Sequence, residues 1–98
     1  MASEYLSNRE LPYSTEAEKA VLGGIMLKNE TWDVVSDLVK EDDFHKEEHR
    51  LIFRTINDLQ DAGKPVDVIT VQEAIEGNGD LPKLINSGGK DYLALLAR

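Results

Sequence analysis

The sequence predicts an all-α fold of about five to six helices. Three observations carry this prediction: apolar residues recur at helical spacing in several separate blocks, helix-start and helix-stop signals bracket those blocks, and no strand-like alternation runs beyond a few residues. Residues 1–13 lack any apolar period and contain Pro12, so they read as a flexible arm leading into a helical globular core over residues 14–98.

The first helix opens at STEAEKAVLGGIML. Thr15 and Glu18 have the spacing of a capping box, and Glu16 complements the positive end of the helix dipole. Ala17, Ala20, Val21, Gly24 and Ile25 then recur at helical spacing. Gly23 and Gly24 each cost about 1 kcal/mol relative to alanine inside a helix. A pair placed there implies that a second backbone crosses close by. A phosphate-loop reading fails, because no Gly-Lys-Ser/Thr follows and the glycines lie within a helix.

A second helix is predicted from Thr31 to Val39, with Trp32, Val35, Leu38 and Val39 as one apolar stripe and Trp32 as a core anchor. The acidic turn EDDF, ending at Phe44, leads to the third and longest helix, from about Lys46 to Ala62. This helix turns Ile52, Phe53, Ile56 and Leu59 inward, stops at Gly63 and is followed by Pro65. PVDVIT reads as an extended connector. Thr70 and Glu73 then repeat the capping-box spacing for a short helix from Val71 to about Glu76, with Ile69 stapling onto Ala74. A further short helix is expected around Leu81 to Ile85. After the Gly88-Gly89 break, KDYLALLAR starts a last one with Leu93 and Leu96 aligned.

Ninety-eight residues, 41% of them hydrophobic, support one modest core and one domain. Cysteine is absent, which excludes disulfides, thiolate zinc sites and cysteine nucleophiles, and fits a reducing, cytoplasmic setting. No run of about 18 apolar residues could span a bilayer, and the acidic N-terminus is no signal peptide, so no membrane partner is expected. Eleven basic against nineteen acidic residues give a net charge of −8, which repels a phosphate backbone. Little or no direct DNA binding is therefore expected. Lys40, Lys46, Arg50 and Arg54 are interleaved with Glu41, Asp42, Asp43, Glu47 and Glu48, as on a solvated helix face.

HKEEH, residues 45 to 49, matches a zinc-peptidase pattern in which two histidines on one helical turn hold the metal. The third ligand is missing, since the other candidates are acids without special spacing. Projecting the long helix backwards puts His49 half-buried at the edge of the core stripe and His45 at the helix start. That favours a helix start over adventitious metal binding or peptidase chemistry. The serines lack a G-x-S-x-G setting. Residue chemistry thus gives no catalytic, cofactor or metal residue, and points to a small acidic interaction module.

Taken in order, LPYSTEAEKAVLGGIML, DDFHKEEHRLIFRTINDLQDAGKPVDVITV and GGKDYLALLA resemble the N-terminal domain of DnaB-type replicative DNA helicases of bacteria or their phages. The likeness runs from about Leu11 to the last residue. In that family the His45 position is usually aromatic, so HKEEH is a coincidence at a helix start. The resemblance implies a compact orthogonal multi-helix domain, without the helical hairpin that follows it in the family. It also implies a hexameric parent in which a separate motor binds ATP and magnesium, while the N-terminal domains form a collar that docks primase and can meet a helicase loader. Motor and hairpin would lie beyond Arg98. The chain alone should then be monomeric or weakly associating and should neither hydrolyse ATP nor unwind DNA. For primase docking, Glu16 and Tyr92 are the expected contacts, one as an unpaired charge and the other as an amphipathic aromatic. A stand-alone adaptor or inhibitor of primase–helicase association is the alternative.

Overall fold

In the computed structural model, residues 14–98 are described; the expected arm over residues 1–13 lies outside them. The order is α1 (Thr15–Leu27), α2 (Thr31–Leu38), a 3-10 turn (Glu41–Asp43), α3 (Glu47–Asp61), α4 (Val68–Gly77), a 3-10 segment (Leu81–Ser87) and α5 (Lys90–Leu96). No strand occurs among the described residues, and the class is all-α as predicted.

The helix starts differ from the sequence reading in an instructive way. α1 is capped by Ser14, whose side chain accepts from the Ala17 N–H at 3.0 Å, so Thr15 is the first helical residue. Glu18 is not a capping residue at all; it turns inward and is buried. α4 likewise starts earlier than predicted. Asp67 caps it, accepting from Thr70 N–H at 2.8 Å while Thr70 Oγ1 accepts from Asp67 N–H at 2.9 Å. Thr70 is thus the far end of a capping box rather than its beginning, and Ile69 lies exposed in the first turn instead of stapling onto Ala74.

α3 is the central element, touching α1, α4 and both 3-10 segments. Its inward Ile52, Phe53, Ile56 and Leu59, with Leu51, meet Leu22, Ile25 and Met26 of α1, Val71 and Ile75 of α4, and Leu84, Leu93 and Leu96 from the C-terminal part. The predicted α1 stripe is displaced, because Ala17 and Ala20 are exposed while Leu22, Gly23 and Met26 are buried. α2 covers the core less tightly: Trp32, Val35 and Val39 are half-buried against it, and Leu38, predicted inside, is 73% exposed. The predicted inner face of α3 and the Leu93/Leu96 pair of α5 are buried as expected.

Glycine is needed at the end of α3 and again before α5. Gly63 takes φ +70° just past α3, and the Lys64 N–H reaches back to Leu59 O at 2.9 Å, closing the helix end; Pro65 follows. Gly88 and Gly89, at φ +119° and +63°, turn the chain sharply between the 3-10 segment and α5. Between α1 and α2, Asn29 fastens a distant loop: its side chain donates to Val66 O at 2.6 Å and accepts from Val66 N–H at 2.9 Å.

Candidate functional site

Glu18 on α1, His49 in the first turn of α3 and Tyr92 on α5 meet inside the domain. His49 is fully buried rather than half-buried at the stripe edge, because each ring nitrogen has a partner. Nδ1 lies 2.6 Å from Glu18 Oε1 and Nε2 lies 2.5 Å from the Tyr92 hydroxyl. The carboxylate fixes Nδ1 as a donor, and with a neutral ring Nε2 then accepts from the Tyr92 O–H. The other oxygen of Glu18 accepts from the His45 N–H at 2.7 Å, which ties α1 to the start of α3. The imidazole lies parallel to the Tyr92 ring, with centroids 5.9 Å apart and 7° between planes.

This line resembles a proton relay in composition, but it is sealed. No buried side-chain N or O atom among the described residues lacks a hydrogen-bond partner, and Tyr92 is only 7% exposed. Burial, followed by the charges of Glu48, Glu16 and Glu18, raises the Tyr92 pKa above its ordinary value, so the phenol stays a donor. His49, with both nitrogens engaged, has no lone pair to offer a metal, and His45 is exposed at the helix start. No group of three or more potential metal ligands occurs among the described residues. The arrangement locks three helices together.

Tyr92 is therefore not the surface aromatic the partner reading needed; its hydroxyl is used inside. Glu16, by contrast, is exposed, its side chain 85% accessible, with Lys19 Nζ at 3.5 Å. It borders a shallow open groove of about 350 Å³ between α1 and the end of α5, lined also by Lys19, Ala20, Leu95, Leu96 and Arg98. Leu95, 42% exposed, is the apolar contact on that face, and sequence periodicity passed over it. Beneath the groove the backbones of α1 and α5 almost touch at Gly23, where an added Cβ would lie 1.8 Å from Leu96 O; at Gly24 it would meet nothing within 4 Å. One glycine of the pair thus serves the predicted close crossing.

Beside the first turn of α3, Ser87 Oγ donates to Glu48, and this bond holds the carboxyl below its usual range against the opposing effect of burial. It clips the 3-10 segment to α3. Opposite, Trp32 packs on Phe53 with centroids 5.3 Å apart, and Phe53 on Phe44 at 5.0 Å.

Residues 10–98 match the family described as DnaB-like helicase N terminal domain. This chain belongs to that family. Relatives include the replicative DNA helicase DnaB of Buchnera aphidicola subsp. Schizaphis graminum, 49% identical over 89% of this chain and 18% of the relative. The DnaB of Haemophilus influenzae is 45% identical over 88% of this chain and 18% of the relative. The chain therefore spans about a fifth of the length of these helicases. The crystal structure of the N-terminal domain of DnaB helicase from Mycobacterium tuberculosis superposes with a TM-score of 0.81 at 31% identity, covering 88% of this chain and 58% of that one. The DnaB N-terminal fold expected from the motifs is the fold observed. No helix among the described residues is long and apolar enough to cross a membrane.

Proposed function

We propose that this chain is the N-terminal collar domain of a hexameric, ATP-dependent replicative DNA helicase of the cytoplasm, acting as a protein-interaction and assembly module. The observation that carries the reading is the match to the DnaB-like N-terminal family over residues 10–98, on a chain that spans 18% of a relative named as a replicative helicase. ATP and magnesium would be held by a motor region outside the 98 residues, and the domain alone would neither hydrolyse ATP nor unwind DNA. Its net charge of −8 suits a surface past which DNA must slide without being held.

Primase is the partner we assign, with a helicase loader as a second and neighbouring subunits completing the ring. Docking is assigned to the face carrying Glu16, where an exposed carboxylate and the half-exposed Leu95 flank the α1–α5 groove. Glu16 can pair with a basic group of the partner and Leu95 with an apolar side chain, while Lys19 and Arg98 on the same groove would meet its acids. The test is calorimetric titration of the chain with the helicase-interacting domain of primase from the same source, using the parent sequence and Glu16→Lys. Saturable binding that Glu16→Lys weakens about tenfold with an unchanged melting curve supports the assignment. Binding that ignores the charge reversal removes Glu16 from the interface, and absence of binding refutes primase docking by this domain.

A further inference from the structure

One turn along α3 from His49, α2, the 3-10 turn and α3 border an open cleft of about 220 Å³. Trp32 and Phe53 line it together with Lys40, Glu41, Arg54 and Asn57. Its volume falls below the roughly 300–1,000 Å³ typical of small-molecule pockets, and suits one large side chain presented by another polypeptide. We propose that this cleft docks a short acidic peptide segment, which inserts one apolar side chain against Trp32 and offers a carboxylate to Arg54.

Three observations support this occupant. The cleft combines an aromatic wall with an arginine and a lysine, and tryptophan and arginine are the residue types that dominate interface energies. Its lining carries two cations and one anion, in a chain whose nineteen acids outnumber eleven bases; Asp33 and Asp37 of α2 and Asp42 and Asp43 of the acidic turn do not line it. The one internal pair is replaceable. Arg54 Nη1 donates to Glu41 Oε2 at 3.0 Å, with the two side chains 46% and 35% exposed. A solvent-screened pair of this kind contributes little, so an incoming carboxylate can take the guanidinium with two parallel hydrogen bonds at small cost. Lys40 Nζ meanwhile rests on the uncharged Ser36 carbonyl at 2.9 Å and can swing to a second acid.

Trp32 is the sole tryptophan of the chain, so its emission reports directly on the cleft. The experiment titrates the 98-residue chain with a blocked peptide Glu-Asp-Leu-Phe-Glu-Asp, and in parallel with Lys-Lys-Leu-Phe-Lys-Lys. A saturable blue shift is expected with the acidic peptide only. Arg54→Glu should weaken it about tenfold, and Glu41→Gln, which removes the competing carboxylate, should strengthen it by about threefold. Both variants alter exposed groups, and their melting curves should stay close to that of the parent. The proposal is overturned by an unsaturable response, by equal responses to the two peptides, or by affinity indifferent to Arg54. It is also overturned if Trp32 emission shifts with chain concentration alone and the acidic peptide does not compete, since the cleft would then belong to a second copy.

Discussion

Adjacent glycines of α1 should answer the same substitution with opposite signs. At Gly24 an added methyl meets nothing within 4 Å, so Gly24→Ala keeps every contact and gains helix propensity, about 1 kcal/mol. For a domain of this size that is a rise of about 4–8 °C in Tm. At Gly23 the same methyl lies 1.8 Å from Leu96 O and 2.8 Å from Leu96 C, and ordinary contact begins near 3.4 Å. The obstacle is the backbone of α5, so the whole helix has to retreat by more than an ångström, taking the buried Tyr92, Leu93 and Leu96 with it. A gap of that size forfeits about half of the dispersion attraction across the contact. Losing about half the burial of Leu93 and Leu96, at about 1.5–3 kcal/mol each when complete, together with a hydrogen bond worth about 1 kcal/mol, outweighs the propensity gain. Gly23→Ala is expected to lose about 2–3 kcal/mol net, leaving the two variants about 3–4 kcal/mol apart. Urea unfolding followed by far-UV circular dichroism measures both. A Gly23→Ala protein as stable as the parent would refute the close crossing of α1 and α5; a destabilised Gly24→Ala would refute the assignment of only one glycine to it.

Tyr92→Phe leaves the buried His49 Nε2 without its donor, and the melting curve should show a loss of about 1–3 kcal/mol at neutral pH. Because the Tyr92 pKa is raised on folding, its contribution is present below about pH 10 and lost as pH rises through the folded value; Tyr92→Phe should therefore flatten the alkaline limb of the stability curve, and an unchanged limb would contradict the buried phenol. For Glu48 the sign is reversed: the folded pKa is depressed, so its contribution is present above about pH 4.3 and vanishes as pH falls through the folded value. Ser87→Ala should accordingly cost about 1 kcal/mol at neutral pH and less in acid, and denaturant midpoints showing a constant difference across pH would argue against the bond. Asn29→Ala removes both side-chain bonds to Val66, and amide exchange of Val66 should accelerate with a global loss of about 1–3 kcal/mol; protection at the parent level would mean that the loop holds without the amide.

Local pattern sufficed wherever local physics decides the outcome. α3 could be read to within a residue at each end, since a long apolar stripe, an acidic first turn and a glycine stop all agree there. The helix starts differ from the capping-box spacing because neighbouring polar residues offer competing caps. Thr15 with Glu18 matches the capping-box spacing whereas Ser14 caps alone through the Ala17 N–H, and what decides between them is the demand of His49 and His45, 31 and 27 residues away, for the Glu18 carboxylate. The same holds at α4, where Asp67 and Thr70 are partners and either could have been taken as the first. Periodicity placed Leu38 inside because it shares a stripe with Val35, yet only Trp32, Val35 and Val39 of that stripe reach the core. Of the two residues chosen for a partner, Glu16 is on the surface as supposed. Tyr92 is not, for an amphipathic ring suits an interface and a buried hydrogen bond equally well, and no spacing in the sequence tells them apart.

The joining of α5 to the rest bears on where this unit may be cut. Seven residues make a helix too short to persist in water alone. Its order is supplied by a groove that only Gly23 leaves open and by a hydroxyl that the imidazole of α3 requires. The C-terminal helix and the N-terminal one therefore belong to a single cooperative unit, and their innermost amides should exchange only when the whole domain opens. A recombinant boundary drawn before Leu96, or a protease nick at Gly88-Gly89, would unfold far more of the protein than it removes.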